Sequence, residues 1–166
     1  MTCKEAMLTI IQRQTEGLMY HDEMADYYAF LNLGVLKDLH KKQTKEELSS
    51  LRKAKCHFIS TFGVLPIYTA TDPKAIPPDW KNRTTSDVDE QSLKILIETS
   101  LSGYLSWEEK TCSIYKLAAQ TFKENMNFPL YREVCEMIEE VQEEIHKIKE
   151  MSADAAVYGY CPSYFK

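Results

Sequence analysis

Apolar residues recur at steps of three and four along most of the chain, which is the spacing of amphipathic α-helices. Glycines and prolines rarely interrupt this pattern, and most of the prolines fall within one segment. The pattern therefore predicts four helices, over about residues 4–33, 35–62, 90–125 and 129–151.

Local signals mark the ends of these helices. Gly34 and Gly63 follow the first two helical segments, where glycine commonly adopts the left-handed conformation of a C-terminal cap. Asp87 or Asp89 offers an N-cap for the third helix, and Pro129 suits the first turn of the fourth. The turn between helices one and two and the turn between helices three and four are short, so each of these two pairs is expected to form an antiparallel hairpin.

The connection between the second and third helices, residues 63–89, holds four of the six prolines and is predicted to be irregular. Its 27 residues are enough to return along the bundle and place the second and third helices parallel. The predicted fold class is all-α, a four-helix bundle with one long crossover connection. We expect a single domain over residues 1–151, followed by an aromatic tail, residues 152–166, that packs on the bundle or on another subunit.

Composition and charge bear on where the protein is located and on what it binds. The chain has 166 residues, a net charge of −5 and no apolar run long enough for a membrane span. No secretory signal is visible, and the five cysteines form no Cys-x-x-Cys pair, which favours reduced thiols in a cytoplasm over a disulfide framework or a zinc knuckle. The mild negative charge gives no general attraction to nucleic acid, and the lysines of the second helix are interpreted as a solvated face.

Ionisable residues stand within the apolar stripes of all four predicted helices. In the third helix, Glu108 occupies the step that the apolar repeat leaves open. His21 shares the apolar face of the first helix, His40 and Glu47 share that of the second, and Glu144 borders that of the fourth. Each helix is therefore expected to direct an ionisable group toward the centre of the bundle.

These groups reach similar heights once the hairpins are folded. His21 and Glu47 each lie 13 residues from the centre of the first turn, and Glu108 and Glu144 each lie 18 residues from the centre of the second. Seen from one end of the bundle, Glu47 and Glu108 differ by about five residues, or roughly 8 Å. Three carboxylates buried together would repel one another, and a bound cation is the simplest way to neutralise them.

The segment from Trp107-Glu108 through Tyr115 to Ala119 resembles the third-helix pattern of the ferritin-like superfamily, in which Glu, six residues, Tyr and small residues follow one another. The strings YHD at 20–22 and LHKKQ at 39–43 are similar to small ferritin-like proteins from bacteria and their phages. Such bundles hold two irons between glutamates and paired Glu-x-x-His motifs.

The resemblance implies a metal site with His21, Glu47, Glu108 and Glu144 as candidate ligands. Iron or manganese suits a site of several carboxylates and one imidazole. His40, Tyr28 and Tyr115 are the candidate outer partners of these ligands.

Two positions depart from the family pattern. Ser50 and Lys147 stand where the pattern places histidines, three residues after Glu47 and Glu144. A literal Glu-x-x-His motif at 143–146 falls on the solvent face of the fourth helix by helical phase. A two-metal oxidase site is therefore expected to be incomplete, and oxygen or peroxide reduction ranks behind simple metal binding.

A second interpretation of the same residues needs no metal. His21 and His40 can be hydrogen-bonded core histidines, His40 with Tyr28 as its partner, and the carboxylates can pair with His21 and Tyr115. The protein would then be a non-catalytic structural or interaction subunit without a cofactor, in which the inward polar groups fix helix register. Under either interpretation the aromatic tail suggests a homo-oligomer.

Overall fold

The structure of the protein, a computed structural model, describes residues 1–76, 80–81, 83–84 and 88–166. These residues form four long α-helices and one short 3₁₀ helix, with no β-strand among them. The elements are α1 (Cys3–Phe30), α2 (Gly34–Phe62), α3 (Glu90–Glu124), α4 (Phe128–Val157) and a 3₁₀ helix (Pro162–Tyr164). The prediction of an all-α bundle of four helices is confirmed.

Two apolar clusters, one toward each end of the bundle, define the directions of the helices. The lower cluster includes Ile10 of α1, Phe58 of α2, Phe122 of α3 and Val134 of α4. The upper cluster includes Tyr28 of α1, Leu36 of α2, Leu101 of α3 and Ile148 of α4. Because α2 and α3 both run from the upper to the lower cluster, they are parallel, while α1 and α4 run in the opposite direction.

The described part of the crossover returns along α1 from the lower to the upper cluster. Near its start, the Tyr68 hydroxyl accepts a hydrogen bond from Thr15 Oγ1 at 3.1 Å, and the backbone N–H of Thr71 donates to Glu16 Oε1 at 3.0 Å. Trp80 is buried in the upper cluster. The crossover is therefore attached to the bundle by specific contacts at both heights.

The helix ends agree with the predictions in part. Gly63 caps α2 in the left-handed conformation, with a φ of 67°, and Asp89 caps α3 by accepting a hydrogen bond from the Ser92 N–H at 2.7 Å. The alternative cap, Asp87, lies outside the described residues, as do Pro77 and Pro78.

The predicted end of the first helix is wrong by a few residues. α1 ends at Phe30, and Gly34 begins α2 instead of closing α1. The turn between them relies on Asn32, whose φ of 55° lies in the left-handed region that asparagine tolerates better than most residues.

The fourth helix and the tail also differ from the prediction. α4 continues to Val157, six residues beyond the predicted end, because Ala155 is buried in the upper cluster. The tail then folds back, so that the Phe165 side chain is fully buried in the same cluster and its carbonyl accepts a hydrogen bond from the Val35 N–H at 2.9 Å. The tail therefore packs on its own bundle.

Candidate functional site

A polar layer separates the two apolar clusters halfway along the bundle. Except for Glu47, which is partly exposed, each of its side chains is buried. Because these residues interrupt the apolar stripes of amphipathic helices, helix packing brings them together. The polar layer consists of Arg13, Gln14 and His21 from α1, His40, Gln43 and Glu47 from α2, Glu108 from α3 and Glu144 from α4.

Two histidines form the centre of the polar layer. The Nδ1 atoms of His21 and His40 lie 2.9 Å apart, so one of them donates a hydrogen bond to the other. Burial, followed by the neighbouring His21, lowers the pKa of His40 well below its usual range, which keeps His40 neutral. On its other side, His21 Nε2 lies 3.5 Å from Glu108 Oε1 and has no hydrogen-bond partner. His21 thus connects α2 and α3 across the bundle.

The expected hydrogen bond between His40 and Tyr28 is wrong. The two rings lie side by side, with their centroids 5.3 Å apart, but the Tyr28 hydroxyl hydrogen-bonds Ser100 on α3. At Nδ1 of His40 the hydrogen-bond partner is His21 instead.

The carboxylate of Glu47 occupies space that the missing side chain of Gly17 leaves open. A Cβ atom at position 17 would lie only 2.8 Å from Glu47 Oε1. The other oxygen, Oε2, is buried and has no hydrogen-bond partner. Burial, with a further contribution from Glu108, raises the pKa of Glu47 to about 8, although Arg13 opposes this shift. Without a bound cation, Glu47 is therefore protonated at neutral pH.

Glu144 has partners for both of its oxygens. The Tyr104 hydroxyl donates a hydrogen bond to Oε1 at 2.9 Å, and Lys147 Nζ lies 3.6 Å from Oε2. Burial, then the nearby Glu108 and Glu144 carboxylates, raise the pKa of Tyr104 well above its usual range, so Tyr104 remains a hydrogen-bond donor.

Arg13 brings a positive charge into the polar layer. Its Nε donates to Thr111 Oγ1 and its Nη2 donates to the Trp107 carbonyl, each at 2.8 Å, and the guanidinium lies 3.4 Å from the centre of the Trp107 ring. Burial lowers the pKa of Arg13, and Glu108 is the first of the acidic groups that counteract this effect. Arg13 forms an ion pair with Glu16 at 3.8 Å, and its positive charge also lies near enough to Glu108 and Glu47 to interact with them.

The acidic pocket, a cavity of about 380 Å³, opens from the polar layer to solvent between α2 and α4. Gln14, Glu108 and Tyr115 are buried and form its floor. Six carboxylates and two lysines line it, an excess of negative charge that attracts cations. The charged lining residues are Glu46, Glu47, Glu108, Glu140, Glu143, Glu144, Lys42 and Lys147.

The structure places three of the four residues that the sequence singled out as ligands around one pocket, without gathering them at one point. Glu47, Glu108 and Glu144 line one pocket, and His21 lies behind Glu108. Tyr115, the predicted outer partner, lies on the floor of the pocket, where burial and then the charges of Glu47 and Glu108 raise its pKa well above the usual range.

Arg13 and Tyr104 were not predicted as members of the site. Arginine is usually exposed, and a tyrosine on an apolar face is usually interpreted as a core packing residue. A signal was present in the helical spacing, since Arg13 lies four residues before Gly17, and Gly17 lies three before Tyr20, all on the buried face of α1.

The two residues of the Glu-x-x-His string at 143–146 are both exposed, as their helical phase predicts, although Glu143 also lines the acidic pocket. The side chain of His146 is 74% exposed and pairs with Glu150 of the next turn at 3.2 Å. His146 does not line the acidic pocket, so the string does not supply a pair of ligands there and its spacing is coincidental.

A two-metal centre does not fit these residues. Within the described part of the chain, no three His, Cys, Asp or Glu side chains stand close enough together to hold a metal ion. Ser50 and Lys147, at the positions of the missing histidines, line the acidic pocket, and Lys147 instead approaches Glu144. A single ion fits the donor chemistry better, because neither His21 Nε2 nor Glu47 Oε2 has a hydrogen-bond partner.

No protein-family model, no curated protein and no solved structure matches this chain. Across the described residues, none of the helices combines the length and the apolar character that crossing a membrane requires.

Proposed function

We propose that the acidic pocket binds one divalent metal ion, iron or manganese, through His21, Glu47 and Glu108. The observation that carries the proposal is that two donor atoms, His21 Nε2 and Glu47 Oε2, are buried without a hydrogen-bond partner. Unpartnered polar atoms in a protein interior cost free energy. A cation bound by both would remove this cost and would favour the ionised form of Glu47.

The site forms on binding, because the ligands are not yet gathered around one point. Glu47 can turn toward an ion without losing a hydrogen bond at Oε2. Glu144 must first leave the Tyr104 hydroxyl and the Lys147 ammonium. Glu144 is therefore the candidate for a fourth ligand, recruited after the other three.

The charge of the polar layer favours a single ion. Glu47 and Glu108 together carry two negative charges when ionised. The charges of Arg13 and Glu144 are already offset by Glu16 at 3.8 Å and by Lys147 at 3.6 Å. One divalent ion leaves the group near neutrality, whereas a second would leave an uncompensated positive charge in the interior. Bound iron or manganese can act as a Lewis acid or a redox centre, and the proposal concerns binding alone.

The same proposal assigns the chain to the ferritin-like superfamily. Two features support this assignment, namely the long crossover that places α2 parallel to α3 and the ionisable group that each helix contributes to the polar layer.

The test is a metal titration of the full-length, untagged chain purified without chelator. We expect about one iron or manganese per chain by plasma mass spectrometry after anaerobic incubation, with the affinity measured by calorimetry. Glu47→Gln and Glu108→Gln should each weaken binding by at least about tenfold. Glu139→Gln, an exposed change on α4, is the matched control and should leave binding unchanged.

If no stoichiometric metal binds even after anaerobic incubation with ferrous iron, the metal proposal is wrong. The second candidate, a metal-free structural or interaction subunit, would then stand. Contacts already present favour it, since Tyr104 bonds Glu144, the two histidines bond each other and Arg13 supplies a counter-charge. In that case Glu108→Gln should leave stability and assembly nearly unchanged.

We propose a homo-oligomer under either candidate function. Large apolar side chains are exposed at the lower end of the bundle, at Leu65, Ile67, Met126 and Phe128. Sedimentation of the full chain beside a Leu65→Ser, Ile67→Ser double variant tests the idea. A change to monomer in the variant supports self-association through this end, and equal sedimentation as monomers contradicts it.

A further inference from the structure

A second cavity, the aromatic groove, lies between α1, α3 and the described part of the crossover. Its volume is about 420 Å³, large enough for a small organic molecule. It is separate from the acidic pocket, which opens between α2 and α4. Its lining includes three aromatic residues, one lysine and one glycine, namely Tyr20, Tyr27, Trp80, Lys74 and Gly103.

The groove has rigid aromatic walls. Tyr20, Tyr27 and Trp80 are all buried, so their rings are held by packing. Trp80 meets Tyr27 edge to face at a centroid distance of 6.3 Å, and Tyr20 stacks on Trp107 at 4.6 Å. Fixed rings of this kind favour a flat apolar ligand, because it can stack on them without reordering the walls.

Gly103 keeps the groove open. Glycine is a poor helix former, yet Gly103 lies in the middle of α3. No packing contact requires a glycine there, since a Cβ atom at this position would meet no heavy atom within 4 Å. A large side chain at position 103 would instead extend into the space of the groove, which Gly103 lines.

Lys74 gives the groove its charge. It is the one formally charged residue among the described residues that line the groove. Its side chain is exposed, and no carboxylate of the described chain forms an ion pair with it. The ammonium is therefore available to a negatively charged group on a ligand.

We propose that the aromatic groove binds a flat aromatic molecule that carries a negative charge, with Lys74 facing the anionic group. The ring system lies against Tyr20, Tyr27 and Trp80. This site does not depend on metal binding in the acidic pocket.

The test uses two fluorescent probes of similar shape, the anionic 8-anilinonaphthalene-1-sulfonate and the neutral N-phenyl-1-naphthylamine, with the full-length chain. Both should bind the wild-type protein at one per chain. Gly103→Leu should weaken both by at least about tenfold, because the new side chain occupies the groove. Ser102→Leu adds the same side chain to the neighbouring exposed position of α3 and should leave both affinities unchanged.

The role of Lys74 has its own measurement. Lys74→Gln should weaken the sulfonate roughly threefold to fivefold, as expected for an exposed ion pair, and should leave the neutral probe unaffected. Circular dichroism confirms that each variant is folded. Failure of the wild type to bind either probe, or equal effects of the two leucine variants, overturns the proposal. Equal weakening of both probes by Lys74→Gln overturns the assignment of an anionic ligand.

Discussion

At the scale of single residues, the ionisation of Glu47 works against folding at neutral pH. In the unfolded chain this carboxyl ionises near its ordinary pKa of 4.5, whereas in the folded protein burial raises the pKa to about 8. Between these values the folded state holds one more proton than the unfolded state. The contribution of Glu47 to the free energy of unfolding therefore falls as the pH rises from 4.5 to 8, and it levels off above that range.

The groups around Glu47 set the size of this effect. Glu108 of α3 strengthens the shift, as do Glu46 on the same helix and Glu140 of α4, while Arg13 of α1 weakens it. In protein freed of metal by chelator, we expect Glu47→Gln to stabilise the fold by about 1–3 kcal/mol at pH 8.5 and by almost nothing at pH 5.

Urea denaturation at several pH values measures this difference. Glu139→Gln is the control, because Glu139 is exposed on α4 and is not among the groups that shift the pKa of Glu47. The stability of the wild type should be compared with that of Glu47→Gln at each pH. If this difference does not change between pH 5 and 8.5, Glu47 is ionised in the folded protein.

Gly17 sets the position of the Glu47 carboxylate. Alanine is a better helix former than glycine, but its Cβ would lie 2.8 Å from Glu47 Oε1 and 3.0 Å from Cδ. The carboxylate must move away, so Gly17→Ala should weaken metal binding by about tenfold, like other changes that misplace a ligand. Calorimetric titration with Mn²⁺ measures this effect, and unchanged affinity would remove Glu47 from the set of ligands.

The candidate site was largely predictable from single residues because helical phase is a local property. Glu108 falls in a gap of an apolar repeat, so its inward direction follows from its own helix. The partners of these residues were not predictable, since they depend on which helices touch. The bonds from Tyr104 to Glu144 and from His21 to His40 both join different helices.

At the scale of the helix, Gly103 weakens α3 without helping it to pack. Its backbone is helical and a Cβ there meets nothing within 4 Å, so Gly103→Ala has no steric cost. We expect the substitution to raise the free energy of unfolding by about 0.5–1 kcal/mol, as alanine orders the helix at less entropic cost. Urea denaturation provides the measurement, and a lower stability of the variant would show that Gly103 has a packing role.

Helix existence was predictable from the sequence, but helix ends were less so. The chain predicts a break near Gly34 correctly, yet Asn32 supplies the left-handed residue and Gly34 starts the next helix. The end of α4 depends on a distant contact, the burial of Ala155 in the upper cluster. A local pattern carries no information about such a contact, which is why the helix was predicted to end early.

At the scale of the whole molecule, the tail closes the upper end of the bundle. Phe165 is fully buried in the upper cluster although it is the penultimate residue. Truncation to alanine leaves a cavity, so we expect Phe165→Ala to destabilise the protein by about 3–5 kcal/mol. Tyr158→Ala, at an exposed aromatic of the same tail, should change stability far less. Equal thermal shifts for the two variants would contradict this role of Phe165.

We expect the polar layer to make the bundle less stable than a bundle with an apolar centre would be. Replacing the polar residues together tests whether they are retained for metal binding. Buried charged groups replaced together by apolar residues of similar size often stabilise a protein by about 1–4 kcal/mol, whereas removing one partner costs about 3–5 kcal/mol. The triple variant Arg13→Met, Glu47→Met, Glu108→Met should therefore unfold at higher urea concentration than the wild type and bind no metal. Glu108→Met alone should be strongly destabilised, because the buried Arg13 then loses the carboxylate that contributes most to keeping it charged. A triple variant no more stable than Glu108→Met would mean that these polar residues specify the packing of the four helices, as the metal-free interpretation requires.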